Sequence, residues 1–193
     1  MLTATEMEGV LTFLRSAEML KNTIRSAWTS AGRNESVAEH TWRLTLMAMV
    51  LHSAFPQVDF AKLVKMCIIH DLGEAIHGDI PAIDQDQNAP KSTSERYDLL
   101  QLIQPLPEKL GSEIVDLWDE YEAAQTPEAR LAKALDKLET ILQHNQGQNP
   151  SDFDYRFNLA YGVQYTKGNP VIESLRAILD RETMEHVSKQ ESS

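Results

Sequence analysis

The sequence predicts an all-α fold, a single helical bundle of about seven to nine helices. Three observations carry this prediction. Apolar residues recur at helical spacing through nearly every segment, capping chemistry precedes most of those stripes, and no alternating strand of useful length interrupts them. At 193 residues the chain suffices for one domain with a substantial core. No internal repeat, low-complexity tract or long linker divides it, so residues 1–193 read as one domain.

Thr3-x-x-Glu6 is a capping box, followed by Met7, Val10, Leu11 and Leu14 at helical spacing, and this helix ends near Lys21–Ile24. The stretch from Arg25 to Glu35 contains Gly32 and small polar residues and reads as an irregular loop. Arg25, Trp28 and Arg33 are costly residues for a plain connector. A helix starts at Ser36 or just after, where Val37, His40, Leu44, Met47, Leu51 and Ala54 form one stripe with His40 facing the core. The stripe alone leaves His40 open as a hydrogen-bonded core residue or a ligand. Pro56 ends this helix and Asp59 caps the next.

That next segment organises the chain. Val64 to Pro81 reads VKMCIIHDLGEAIHGDIP, an apolar run that abruptly presents His70 and Asp71, then Glu74, His77 and Asp79 around Gly78. An apolar run without polar relief reads as a buried helix. Polar groups emerging from it need partners, because an unpaired buried charge is very costly. A divalent metal satisfies an imidazole and a carboxylate together. His70 and Glu74 stand at i, i+4 and share a face if the helix continues. A helix end that simply surfaces at Gly78 is the plain alternative.

After Pro81 a polar loop runs through Asp84, Asp86, Asn88 and Pro90. Ser92-x-x-Glu95 reads as a capping box opening a helix with Leu99, Leu102 and Ile103 inward. Pro107 suits the first turn of a helix whose Leu110, Ile114, Leu117 and Tyr121 face the core, and Thr126–Pro127 starts another with Leu131, Leu135, Leu138 and Leu142 buried. Asp136 borders that last stripe, either turned inward at its edge or solvated beside Lys133 and Lys137. Phe153, Phe157, Tyr161 and Tyr165 recur every four residues, a helical aromatic edge suited to core or dimer contact. Asn169–Pro170 opens the final helix, and the polar tail after His186 is expected to fray.

Composition narrows the function. A net charge of −11 would repel a nucleic-acid backbone, so extended DNA or RNA binding is not expected. The longest apolar-rich stretch, Leu44–Leu51, is too short for a membrane span, and MLTATEMEGV lacks the features of a secretory signal. Cys67, the only cysteine, sits in the most apolar run, which fits a reducing cytoplasm.

Three sequence pieces then combine: SVAEHTWR around His40, HDLGEAIHGDIP from His70, and ALDKLE around Asp136. This ordered set resembles the HD-domain superfamily of metal-dependent phosphohydrolases, in particular its small 5′-deoxynucleotidase-like branch. The resemblance covers about residues 20–143, with C-terminal helices over 153–187 packing on that part. It implies His40, His70, Asp71 and Asp136 as ligands of one divalent ion; the donor set does not choose among Mn²⁺, Co²⁺, Fe²⁺, Zn²⁺ and Ni²⁺. It implies Glu74 as a proton-transfer group, Arg25 as the phosphate partner, Trp28 against sugar or base, and Asp79 on the nucleoside side. It also implies a homodimer. The expected activity is release of phosphate from (deoxy)nucleoside 5′-monophosphates; the alternatives are a nucleotide diphosphate, alarmone or phosphodiester substrate, or a non-catalytic module stapled by metal. His52, His144 and His186 do not form a second ligand cluster, which disfavours a two-metal phosphodiesterase. Arg25 and Trp28 are separated by Ser26–Ala27, a spacing that varies in the family. His77 is not required by the pattern; it suits contact with substrate or a second ion, or a plain helix end. Glu39 and Arg43 flank His40 as candidate supports, and Arg33 is open between phosphate contact and solvation.

Overall fold

The structure, a computed structural model, describes residues 2–79 and 91–192; Ile80, Pro81 and the expected loop through Asp84, Asp86, Asn88 and Pro90 lie outside them. The all-α expectation holds. The described residues form α1 (Ala4–Ala17), β1 (Ile24–Trp28), β2 (Asn34–Ser36), α2 (Val37–Leu51), α3 (Phe60–Ile69), α4 (Glu74–His77), α5 (Lys91–Leu102), α6 (Glu108–Ala123), α7 (Pro127–Gln146), α8 (Arg156–Ala160) and α9 (Pro170–Glu191). Thr3 and Ser36 close full capping boxes, and Asp59, Thr126 and Asn169 cap α3, α7 and α9. Each such cap is worth about 1 kcal/mol.

Helix α7 runs through the middle, against α2, α3, α6, α9 and β1. Its Leu131, Leu135, Leu138 and Ile141 meet Leu44 and Ala48 of α2, Leu63, Met66 and Cys67 of α3, and Ile172 and Leu179 of α9 in one apolar cluster. Burying each large aliphatic side chain contributes roughly 1.5–3 kcal/mol. A second cluster joins Val37, Ile69, Leu72, Leu99, Leu102, Ile103 and Trp118 on the other side. Helices α2 and α3 therefore contribute to both clusters, through Val37 and Leu44 and through Ile69 and Leu63, whereas α7 lies in the first.

Several segments depart from the sequence expectations. Arg25–Glu35 is not a plain loop: β1 and β2 pair antiparallel, Ile24 with Ser36 and Trp28 with Asn34, with an irregular register between. The unequal spacing gives β1 a bulge, which erases the alternation that would have marked a strand. Helix α3 does not run on to Gly78. It ends at Ile69, and Leu72 N–H to Ile69 O (3.0 Å) and Glu74 N–H to Asp71 O (3.0 Å) close tighter three-residue turns before α4. His70 and Glu74 therefore do not share the face of one continuous helix. Gly73 lies in this break, where a β-carbon would collide with the Glu95 carbonyl of α5.

Lys91 is already helical, so Ser92 sits inside the first turn of α5 rather than capping it. The aromatic run is not one helix either. Only α8 is helical there, and Gly162 (φ +65°) turns the chain beyond it. Helix α9 continues to Glu191 instead of fraying after His186; Gln190 Nε2 donates to the Ser151 and Phe153 carbonyls, and Arg156 pairs with Glu191. Helix α1 packs through Phe13 and Ala17, and Gly9 lies against the Pro105 carbonyl. Its Met7, Leu11 and Leu14 stripe is left exposed.

Candidate metal centre

Three elements deliver the sequence-predicted ligands. His40 lies on the inward face of α2, His70 and Asp71 follow the last residue of α3, and Asp136 sits midway along α7. His40, His70 and Asp136 are buried. Asp136 Oδ1 is 3.2 Å from His40 Nε2 and 4.0 Å from His70 Nε2; Asp71 Oδ2 is 3.1 Å from His70 Nε2 and 3.9 Å from His40 Nε2. One atom each from His40, His70 and Asp71 lies within 4.8 Å of the others.

The ring orientations are fixed from behind. His70 Nδ1–H donates to the Cys67 carbonyl at 2.9 Å, and the Trp118 indole donates to the His70 carbonyl at 3.0 Å. His40 Nδ1 is bonded to Glu139 of α7, which also accepts from Arg43 Nε at 2.6 Å. Both rings thus turn Nε2 toward the carboxylates, and an imidazole whose far nitrogen is engaged this way is oriented for metal binding. His40 Nε2, His70 Nε2 and Asp71 Oδ2 are buried without a hydrogen-bond partner among the described residues. Unpaired polar atoms converging in a buried site are a substantial energetic liability. A divalent cation would satisfy all three, and two imidazoles with two carboxylates form a suitable N/O donor set. The residues fit the ion.

Charge balance supports the same fit. Burial and Arg25 both push the His40 pKa down, but the Glu139 and Asp136 carboxylates outweigh them and raise it to about 10. Burial pushes Asp136 up, yet Lys137 and the two histidines hold it well below the usual carboxylate range. Asp71 is likewise low, burial being outweighed chiefly by His70. The cluster holds more negative charge than its own side chains balance comfortably, so it retains a proton that a cation would displace.

Arg25 reaches in from β1. Its Nη2 donates to Thr140 of α7 at 3.1 Å, Nη1 is 3.7 Å from Asp71 Oδ2, and Nε is 3.4 Å from Glu35 Oε2. Burial works against this charge, but Asp71, Glu139, Asp79 and Glu35 outweigh it and keep the guanidinium protonated. Glu35, His40 and Glu139 also lie close enough together to hold an ion. Arg25 and Arg43 already supply the cations there, so that trio is a buried support for His40 and Arg25.

The remaining candidates divide. Glu74 is buried at the start of α4, one turn past Asp71. Asp79 is half-buried and acts electrostatically on Arg25. Trp28 is half-buried at the far end of β1, its carbonyl accepting from Gln143 Nε2. His77 is exposed and bonded through Nδ1 to buried Asp98 at 2.7 Å. Glu39 does not support His40: it closes the Ser36 cap and pairs with Arg33 on the surface, which also accounts for Arg33. Arg43 supports His40 through Glu139. Sequence reasoning missed Glu139, Glu35, Thr140 and Tyr121. Signals were available: Glu139 closes the ALDKLE piece one helical turn from Asp136, Glu35 immediately precedes SVAEH, and Tyr121 stood in a core-facing stripe.

A helical bundle that gathers two imidazoles and two carboxylates at its centre belongs to the class of helical proteins built around a metal site. A family model described as HD domain matches residues 17–176, and the chain belongs to that family. It is 32% identical to 5′-deoxynucleotidase HDDC2 of Dictyostelium discoideum over 186 residues, covering 90% of this chain and 98% of that protein. Over 140 residues it is 36% identical to human 5′-deoxynucleotidase HDDC2, covering 72% of this chain and 68% of that protein. The crystal structure of a "predicted metal-dependent phosphohydrolase" from Magnetospirillum magnetotacticum MS-1 superposes with a TM-score of 0.82 at 26% identity, covering 96% and 97% of the two chains.

Proposed function

We propose that this chain is a metal-dependent 5′-nucleotidase that releases phosphate from deoxynucleoside 5′-monophosphates. The observation that carries the reading is the convergence of His40 Nε2, His70 Nε2 and Asp71 Oδ2, buried and lacking hydrogen-bond partners among the described residues, beside the protonated Arg25. We assign His40, His70, Asp71 and Asp136 as the ligands of one divalent ion. When bound, that ion polarises a phosphoryl oxygen and acidifies water. The donor set suits Mn²⁺, Co²⁺, Fe²⁺, Zn²⁺ or Ni²⁺.

The side chains do the rest. Arg25 presents its planar, permanently charged fork to the phosphate oxygens, with Thr140 and Glu35 fixing its far edge. The water oxygen forms a bond to phosphorus as the bond to O5′ breaks. The departing alkoxide then needs a proton, and Glu74 takes one from the water and passes it on. Asp79 and Trp28 face the nucleoside, through sugar hydroxyl and ring contacts. Residues 1–193 act as one domain.

The apolar Met7, Leu11 and Leu14 face of α1 supports a homodimer, since uncovered apolar patches mark interaction surfaces. We place the protein in the cytoplasm on the strength of its cysteine usage, a single thiol buried at Cys67; among the described residues no helix is long and apolar enough to cross a membrane. The test is phosphate release from a panel of ribo- and deoxyribonucleoside 5′-monophosphates with Mn²⁺ or Co²⁺. Turnover of deoxynucleotides is expected, and silence across the panel in metal-loaded protein rejects the reading.

A further inference from the structure

Asp136 uses its two carboxylate oxygens differently. Oδ1 lies toward the imidazoles, 3.2 Å from His40 Nε2 and 4.0 Å from His70 Nε2. Oδ2 accepts from the Tyr121 hydroxyl at 3.0 Å and meets Lys137 Nζ at 2.9 Å. Both donors are held in turn. The Tyr121 ring packs against that of His70 with centroids 5.2 Å apart, and the Lys133 ammonium lies 4.0 Å from its centre. Lys137 Nζ also donates to the Tyr161 hydroxyl at 3.1 Å. Its stem fills the space where a side chain would otherwise grow from Gly162: a β-carbon there would stand 2.5 Å from Lys137 Cγ. A merely solvated lysine beside an aspartate needs neither the tyrosine nor the glycine.

We propose that Tyr121 and Lys137 are positioning residues that reserve Oδ2 of Asp136, so that this carboxylate offers an ion one oxygen and not two. The inference rests on the reading of Asp136 as a ligand. Carboxylates bind divalent cations through one oxygen or both. A second oxygen would take up a position that an incoming substrate oxygen needs, and hydrolytic metal sites depend on keeping such a position open. Lys137 also repels the ion, so the arrangement exchanges tightness of metal binding for access. The aromatic residues near Tyr161 thereby gain a task at the centre, through a lysine one residue from a ligand.

The test titrates chelator-stripped protein with Co²⁺, reading the dissociation constant and the visible ligand-field absorption. Lys137→Met is expected to bind Co²⁺ about tenfold more tightly, because a positive charge within a few ångströms of the ion is gone. Its absorption should weaken, as it does when cobalt gains a donor, and its kcat should fall. Tyr121→Phe is expected to change the spectrum in the same direction with a smaller effect on affinity, and it decides the matter if Lys137→Met does not fold. Asp136→Ala is the control: unaltered Co²⁺ binding and spectrum in that variant defeat the ligand reading itself. If Asp136→Ala loses the ion while Lys137→Met binds it no more tightly and with an unchanged spectrum, the positioning role is overturned, including the case where only KM rises.

Discussion

The roles proposed for Arg25 and Glu74 are distinct, and single substitutions separate them. A Glu74→Ala protein keeps all four proposed ligands, so its metal content and melting temperature should match the parent while turnover falls about 10²- to 10⁴-fold, the usual worth of a positioned proton-transfer group. Elemental analysis, calorimetry and phosphate release check the three parts. His70→Ala should instead lose the ion and melt lower, since an ion bound only by the folded chain stabilises it. Arg25→Lys tests geometry at constant charge. Thr140 and Glu35 engage two nitrogens of a planar guanidinium, an arrangement an ammonium cannot reproduce. A KM for nucleotide raised at least about tenfold is expected, with metal affinity unchanged.

At the scale of elements, the site depends on a short break between α3 and α4. The Glu95 carbonyl of α5 occupies the space that a side chain at Gly73 would need. Gly73→Ala should therefore push α5 from α4 and cost about 1–3 kcal/mol, the usual penalty of overpacking, read as a lower denaturant midpoint. Legibility in the sequence follows the same physics. Helices with one apolar face, such as α2 with Val37, His40 and Leu44, declare themselves by period, and their caps mark where they start. The ribbon does not, because its bulge breaks the alternation and β2 is only Asn34–Ser36. The break after Ile69 is equally silent, since tight turns and a continuing helix look alike over four residues. Asp136 needed the resemblance to single it out, for its sequence neighbours Lys133 and Lys137 suggest a solvated face. Glu139 was hidden by its place among alternating charges, although it holds His40.

The whole molecule balances the charge buried around the site, and that balance sets its response to pH. Burial and the nearby Glu139 push Glu35 up to about 7 from 4.5, while His40 stands at about 10 against an ordinary 6.5. A group raised on folding contributes stability that is complete below its unfolded pKa and is lost as pH climbs through its folded one. Glu35 therefore weakens the fold between about pH 4.5 and 7, and His40 continues the loss from about 6.5 to 10. The melting temperature of chelator-treated protein should fall steadily from pH 5 to pH 9. In Co²⁺-loaded protein His40 has no proton to give up, so the fall should flatten. A chelator-treated protein with a level profile contradicts this account of the cluster. In solution the exposed α1 stripe should show itself as a dimer in sedimentation, and Leu11→Glu should yield monomer.

One helix, α7, is at once the central support of the bundle and the carrier of Asp136, Glu139 and Thr140. Chemistry and architecture are therefore inseparable along it: a lineage that altered these positions to suit a new substrate would shake its own foundations. The freedom to adapt lies at the periphery, in the part of the β1–β2 ribbon around Trp28 and in the α4 turn beyond Glu74. Divergence in what such a protein accepts should accordingly be written in those outer segments, while the central helix stays nearly silent.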